Sequence, residues 1–501
     1  MPRTLTSTLS LFLCFLSAAS CASPSSRHED RVVAGLPGQP QELQHLRQYS
    51  GFLSGGSDRH LHYWFIESES SPSADPLILW FNGGPGCSSL EGALDGNGPF
   101  LLDSSHTLQV NPFRWTRFAN LLFLESPAGV GFSYRDSGLG TNKHTRNNVY
   151  ATNDSATAAA NVAAVSDFFK RHPRFRSNQF FIAGESYAAV YVSMLAAAIM
   201  RQQQHQQSIP KVTGYMIGNG ASDQEIRRDA GFYSTYYYGL VGLPAWNAVL
   251  DACCTNHHET GAHAVIKRTA SHTLVQKRCL LTRNMKRKAA CRSVLQPLDR
   301  IAYGSAIFIY GVNQDCKGVE RESRNGSGSR NDVSWRTNAA KNPSVSKGNP
   351  CSDDEAITAH DPKVAYLNRG TVRRAFHIPD AVQRWSVCSQ AVSKGYQAKK
   401  ATVAPEIKQL AKAGVRGLMY NGDTDLSCGW LSAMWFLEGL GIKSEGKLRP
   451  WFVDHQAAGL TIDYGSLLTR ATVLGSGHMV LSDKPRQAFA LIQRFLNQQP
   501  L

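Results

Sequence analysis

Gly184-Glu185-Ser186-Tyr187-Ala188 is the stretch whose residue types and spacing point most directly to chemistry. An apolar run, Gln179 to Ala183, precedes it, and a helical pattern, Val190 to Met200, follows. A serine on a tight strand-to-helix turn, flanked by small residues, projects its hydroxyl while neighbouring backbone packs close, which is the context of a nucleophile elbow. Gly184 and Ala188 fill the small positions, with alanine where a second glycine is usual. The bare string arises often by chance, and its bland reading is a serine in an ordinary turn; the strand before and helix after give it weight. A serine hydroxyl needs a base to activate it and an acid to orient that base. With such an elbow the chain order is serine, acid, histidine. His478 stands out among 16 histidines because Gly477-His478-Met479 directly follows an apolar run, and Asp423 and Asp425 follow the preceding one. Ser186, Asp425 and His478 have the right order and topological position. The oxyanion of the attacked carbonyl needs donors fixed beforehand. The Tyr187 N–H is one candidate, and the early loop Asn82-Gly83-Gly84-Pro85-Gly86 is the natural source of another, a plain glycine turn being the alternative.

Several elements must position these residues. Short apolar runs end at turn residues: Pro76 to Asn82, Asn120 to Glu125, Gln179 to Ala183, Val212 to Ile217, Gly417 to Tyr420 and Ala471 to Leu474. Continuous apolar strands of this kind suit a buried, mostly parallel sheet. Helical stretches lie between them, such as Ala156 to Arg171 and Pro485 to Asn497. The alternation predicts an α/β architecture with helices on both faces, and ligands in such sheets bind at the strands' carboxyl ends. The alternation lapses over 226–351, read as an inserted disulfide-rich cap that splits the core into 23–225 and 352–501. No internal repeat is visible.

Composition narrows the class. The chain has 501 residues, 53 Lys+Arg against 38 Asp+Glu, and 42% hydrophobic residues, enough for a large core and too many for a disordered chain. Residues 1–22 read as a secretory signal peptide: Arg3 supplies positive charge, Leu9 to Leu16 the apolar stretch, and Ser20 and Ala22 the small residues before cleavage. No later apolar run reaches the roughly 18 residues of a membrane span. Of 11 cysteines, Cys14 and Cys21 leave with the signal, and nine remain for an oxidising compartment, so at least one stays free. No C-x-x-C pair exists, so a thiol zinc site has no support, and neither a metal nor a cofactor is expected. Asn153 and Asn325 are glycosylation acceptors if exposed. Residues 251–350 carry a balance of +10 out of a total of +15, including Lys286-Arg287-Lys288. In a secreted chain this reads as a solvated insertion, without a nucleic-acid partner; its part 317–350, rich in Ser, Gly, Asn and basic residues, reads as a mobile loop open to proteolysis.

Further blocks make a resemblance specific. Trp80 to Leu90 (WFNGGPGCSSL), Glu125 to Tyr134 (ESPAGVGFSY), Gly184 to Ala188, Tyr420 to Asp425 (YNGDTD) and Gly477 to Val480 (GHMV) together resemble the serine carboxypeptidases over nearly all of the chain after the signal. Arg47 to Gly51, His60 to Phe65 and Phe495 to Pro500 are similar to lysosomal members of that family. The resemblance implies an α/β-hydrolase fold, Ser186 as nucleophile, His478 as base, and Asp425 rather than Asp423 as the acid. It implies Gly84 and Tyr187 as oxyanion donors, and Asn82, Gly83 and Glu185 as the site for the substrate's C-terminal carboxylate. Cys428 and Met479, with Tyr187, are implied pocket residues. It also suggests the disulfides Cys87–Cys388, Cys253–Cys291, Cys254–Cys279 and Cys316–Cys351, with Cys428 free; from spacing alone, the four cap cysteines allow three connectivities. The family pairs the glutamic acid before the nucleophile with a second one, and here that second position is Gly96, with Asp95 beside it. Ala189, Ser193 and Leu481 also depart from the pattern.

The expected function is a serine carboxypeptidase releasing C-terminal, hydrophobic residues from peptides at acid pH through an acyl-enzyme. The family's members imply a lysosomal or secreted location, and two further partners: lysosomal glycosidases, held by a protective scaffold, and a second copy in a homodimer. The alternatives are such a scaffold with weak catalysis, or an esterase, deamidase or acyltransferase.

Overall fold

The structure is a computed structural model that describes residues 30–32, 34–139, 149–202, 209–254, 279–304, 307–314 and 361–501. The signal peptide, the basic loop 317–350, Asn325 and the Cys316–Cys351 pair lie outside the described residues.

Strands β1 (Gln48–Ser54) and β2 (Arg59–Ile66) open the chain as a hairpin, followed by β3 (Leu77–Phe81). A small separate hairpin, β4 (Phe100–Leu102) and β5 (Leu108–Val110), precedes β6 (Asn120–Leu124). The two-residue β7 (Tyr134–Arg135) adds to β2, and β8 (Thr152–Asn153) pairs with β11 (Tyr396–Gln397) away from the main sheet. The remaining strands are β9 (Phe180–Glu185), β10 (Val212–Gly218), β12 (Arg416–Gly422), β13 (Ser444–Val453), β14 (Gln456–Tyr464) and β15 (Leu468–Val473). The main sheet runs β1-β2-β6-β3-β9-β10-β12-β15-β14-β13. Its centre, β6 to β15, is parallel throughout. Both ends are antiparallel.

The central strands are apolar on both faces because both faces are covered. In β3, Ile78 and Trp80 join one core with Leu491 and Ile492 of the helix Pro485–Leu496. Leu77, Leu79 and Phe81 join the other with Val165 and Phe168 of the helix Asp154–Arg171 and Leu195 of the helix Ala188–Gln202. This is the α/β architecture expected from the alternation, in the α/β-hydrolase form that the resemblance implies. The terminal hairpins β1–β2 and β13–β14 were not anticipated as elements. Much of β13 faces solvent, so it carries no apolar run to announce it.

Within 226–351, the helices Gln224–Tyr237, Leu243–Cys253, Leu281–Arg287 and Ala289–Gly304 pack around their own apolar cluster, with Phe232, Trp246, Leu281 and Leu295 at its centre. Cys253–Cys291 and Cys254–Cys279 are bonded there, and Cys87–Cys388 joins the early loop to the late part of the chain. Lys286 and Arg287 are exposed. Asn153 is half-buried, and its Oδ1 accepts the Ala156 N–H at 3.0 Å, capping the helix Asp154–Arg171. Among the described residues, no helix is long and apolar enough to cross a membrane.

Leu79 lies fully buried at the middle of β3. Leu79→Ala is expected to lower the unfolding free energy by about 2–5 kcal/mol, read by denaturant titration; a loss below about 1 kcal/mol would show that the sheet's second face is not packed as described.

Candidate active site

β9 ends in a turn that forces Ser186 into a left-handed backbone conformation, φ 62°. For a non-glycine residue such a conformation costs on the order of 1–3 kcal/mol and persists only where its surroundings hold it. The Ser186 N–H donates to the Gly218 carbonyl at 2.9 Å, and its carbonyl accepts from Ala189 and Ala221 N–H, each at 3.1 Å. Gly184 is required by packing: a Cβ there would stand 2.6 Å from the Phe81 carbonyl oxygen and 2.7 Å from the Ala188 Cβ. The missing side chain at 184 is what makes room for alanine at 188.

The loops after β12 and β15 meet beside this turn. A Cβ on Gly422 would fall on the carbonyl oxygens of Ser476 and Gly477, and one on Gly477 would fall on that of Tyr310. Asp425 and His478 come together as a result. His478 Nδ1 and Asp425 Oδ2 are 2.7 Å apart. The same oxygen accepts from Asn219 Nδ2 at 2.8 Å and Cys428 N–H at 3.1 Å, and Asp425 Oδ1 accepts from Ser427 N–H at 2.8 Å. These donors hold a carboxylate in the fully buried position that Asp425 occupies. Asp423 turns elsewhere, accepting from Gly475 N–H at 2.7 Å. From the insertion, the Tyr310 carbonyl accepts the His478 N–H at 2.6 Å, and its ring lies 4.9 Å from the imidazole. Burial by itself lowers the His478 pKa, but the charge and hydrogen bond of Asp425 outweigh it and hold the imidazolium above its ordinary 6.5.

The early glycine loop presses against Ser186. A Cβ on Gly83 would lie 2.5 Å from the Tyr187 N, 2.8 Å from the Glu185 carbonyl oxygen and 2.9 Å from the Ser186 Cβ. Gly84 has φ 105°, a conformation open to glycine. The bridge Cys87–Cys388 fixes this loop, supported by the Ser88 N–H on the Val387 carbonyl and the Ser389 N–H on the Gly86 carbonyl, each at 2.8 Å. Tyr187 is tied from its other end: its hydroxyl donates to buried Asp154 at 2.7 Å, which also accepts from the Tyr396 hydroxyl and from Lys399 and Lys400 N–H.

Beside Gly83, Asn82 accepts from Trp80 Nε1 at 2.8 Å and donates through Nδ2 to Glu185 Oε1 at 3.3 Å. Burial, with the charges of Glu91, Asp95 and Asp483 and against that of His478, pushes Glu185 up to about 8, so it holds its proton through neutral pH. Cys428 is buried and free of disulfides, its thiol pushed up to about 11 by burial. Met479 follows His478 and is half-buried. Asp95, the acid beside Gly96, pairs with Lys363, and its charge still adds to the rise of Glu185. Its carboxylate sits 3.5 Å from Lys363 Nζ and is half exposed, and a Cβ at Gly96 would lie 2.7 Å from the Leu481 Cβ. Two departures from the family pattern, Gly96 and Leu481, are therefore in contact.

The serine carboxypeptidase family pattern matches residues 37–498. The chain belongs to the serine carboxypeptidase family. It is 34% identical over 522 residues to the lysosomal protective protein of Mus musculus, covering 100% of both chains. It is 30% identical over 506 residues to a serine carboxypeptidase of Caenorhabditis elegans, covering 98% of this chain and 97% of that one. The crystal structure of a prohormone-processing carboxypeptidase from Saccharomyces cerevisiae superposes with a TM-score of 0.69 at 19% identity, over 95% of this chain and 97% of that one, a likeness of fold. This serine carboxypeptidase is a hydrolase of peptide bonds.

Sequence reasoning passed over four residues of the carboxypeptidase site. Asn219 stood in a recognised turn, Gly218-Asn219-Gly220, and its amide was a readable signal. Asp154 hid inside a glycosylation tripeptide. Tyr310 gave none, since it reaches the site through a carbonyl. Glu91 directly follows the block Trp80 to Leu90, and nothing in its type announces that it reaches the Asn82 amide. Among the described residues no cluster of His, Cys, Asp and Glu is arranged to hold a metal ion.

Gly422→Ala in this carboxypeptidase is expected to force the acid and histidine loops apart and lower kcat/KM by about 100-fold with the fold retained, because misplacement of catalytic groups by about 1 Å has that effect. Unchanged kcat/KM would mean that the close approach is not needed.

Proposed function

We propose that this chain removes single, hydrophobic residues from the carboxyl end of peptides at acid pH, through an acyl-enzyme on Ser186. The observation that carries the reading is the His478–Asp425 hydrogen bond of 2.7 Å, formed beside a strained serine turn on which Gly83 is packed. In this reading His478 takes the Ser186 proton as Oγ attacks the carbonyl carbon of the last peptide bond. Asp425 holds the imidazole with Nε2 toward the serine and stabilises the imidazolium. The N–H groups of Gly84 and Tyr187 donate to the oxyanion. His478 then gives the proton to the leaving amine, the C-terminal amino acid departs, and water, activated by the same imidazole, releases the shortened peptide. The free carboxylate of the substrate is held by the Gly83 N–H and the protonated Glu185, which the Asn82 amide orients. Cys428 and Met479 form part of the pocket wall, and their apolar character motivates the hydrophobic preference.

Two titrations set the pH behaviour. His478 must be neutral to act as base, and Asp425 raises it, so turnover falls on the acid side as pH drops through a value above 6.5. Glu185 must be protonated to donate to a carboxylate, so recognition of the free acid is complete at acid pH and fades as pH rises through about 8. Acid pH therefore favours selectivity for the free carboxylate, and the rate itself is limited there by His478.

We also infer a secretory-pathway protein, lysosomal or secreted, from the leader-like first residues and the similarity to a lysosomal relative. Its inserted helices would cap the site from the side where Tyr310 meets His478. A protective role toward glycosidases, and self-association as a homodimer, rest on the family resemblance alone, and size measurement with and without a glycosidase tests both.

The test of catalysis is hydrolysis of a blocked dipeptide with a free carboxylate beside its C-terminal amide. The free acid is expected to be preferred by at least about tenfold at acid pH, with the preference falling about tenfold per unit above the Glu185 value. Ser186→Ala is expected to abolish both activities with the melting temperature retained. Equal use of the amide would support a general esterase or deamidase, and no turnover by the folded wild type would leave the scaffold.

A further inference from the structure

The Asn82 side-chain amide has two hydrogens, and both are directed at carboxylates. One goes to Glu185 Oε1 at 3.3 Å and the other to Glu91 Oε2 at 3.4 Å. The Asn82 oxygen is occupied by Trp80 Nε1 at 2.8 Å, which fixes the orientation of the amide. Glu91 lies in the first turn of the short helix Leu90–Asp95. Gly92 lets that helix lie against the amide: a Cβ there would stand 2.5 Å from Trp80 Nε1 and 2.9 Å from Asn82 Oδ1. Of the other two positions in this corner, 96 is blocked by Leu481, and Asp95 pairs with Lys363 while its charge still reaches Glu185.

We propose that Glu91 is the second acid of the carboxylate clamp: across the shared Asn82 amide its charge keeps a proton on Glu185, and Glu185 donates that proton in a hydrogen bond to the substrate's terminal carboxylate. Glu91 acts through Glu185 and is a positioning residue. The inference rests on the carboxypeptidase reading and assigns to Glu91 the place that Gly96 leaves empty. Like charges a few ångströms apart disfavour double ionisation, so the pair carries one proton where an isolated carboxyl would carry none.

Charges from every neighbouring element bear on this pair. Glu185 faces Glu91 and Asp95 from the helix, Asp483 from the helix Val480–Asp483, and His478 from the loop after β15, with the Tyr420 hydroxyl on β12. Glu91 also faces Lys363, a nearly buried ammonium shared with Asp95 and Asp361. Acids outnumber cations around Glu185, and burial adds to their effect in raising it to about 8.

The experiment measures KM against pH for the blocked dipeptide acid and its amide, in wild type, Glu91→Gln and Glu91→Asp. In wild type, KM for the acid is expected to rise through about pH 8 while KM for the amide shows no such rise. In Glu91→Gln the rise should begin about one pH unit lower, because the anion that holds the Glu185 proton is gone. Glu91→Asp, which keeps the charge, should move the midpoint back toward wild type. Should Glu91→Gln fail to fold, Glu91→Ser replaces it with the same expected shift. A wild-type midpoint in Glu91→Gln or Glu91→Ser, or equal shifts in the Gln and Asp variants, overturns the role of Glu91 while leaving the carboxypeptidase reading intact. Equal KM for acid and amide in wild type at about pH 5–6 overturns both.

Discussion

Five stretches of chain approach one another at the carboxyl edge of the sheet more closely than side chains would permit, and the rest of the site depends on that approach. Gly83 lies on Ser186 and Tyr187, Gly184 on Phe81, Gly422 on Ser476 and Gly477, and Gly477 on Tyr310. Each contact joins segments far apart in the chain. The parallel centre of the sheet brings the loops to one edge, and the absent Cβ atoms let them close the last few ångströms. Burial follows from this closeness. Asp425, His478 and Glu185 are all nearly inaccessible, which raises the effect of every charge near them.

A buried serine-histidine-carboxylate network elsewhere in the molecule shows that this combination also serves structure. Ser50 Oγ lies 2.9 Å from His62 Nε2, and His62 Nδ1 lies 2.8 Å from Glu125 Oε2. All three residues are completely buried. Ser50 donates onward to the Phe376 carbonyl at 3.1 Å, and Glu125 accepts from Trp385 Nε1 at 2.8 Å and from Ser88. Here the constellation is a fully used hydrogen-bond network joining β1, β2 and β6 to the Cys87–Cys388 loops. It has no strained serine turn and no reach to solvent. Residue types and mutual distances alone do not identify the reacting group.

Much of this was legible in the chain. The six central strands were readable because burial on both faces makes each an unbroken apolar run, and the serine turn because strand, small residues and helix occur together. The β13–β14 hairpin was not, since β13 is largely exposed and carries no apolar run, whereas β1–β2 is mostly buried and its run Leu61 to Ile66 is a readable strand signal. Within the site, Ser186, Asp425 and His478 stand out in the chain by type and order. Those that supply support were missed for specific reasons: Tyr310 contributes a backbone carbonyl, Asn219 a single amide, and Glu91 comes into reach only because Gly92 lets its helix lie flat. Asp95, nearest in sequence to the vacant acid position, is drawn away by Lys363, a partner 268 positions further along the chain.

The contact between Gly96 and Leu481 has a consequence for what the corner can hold. The atom nearest a side chain begun at 96 is the Leu481 Cβ, which every residue but glycine carries. Trimming Leu481 therefore makes no room for an acid at 96. The backbone of the helix Leu90–Asp95 or of the helix Val480–Asp483 has to move as well. Restoring an acid there is a matter of shifting an element, not of exchanging a side chain.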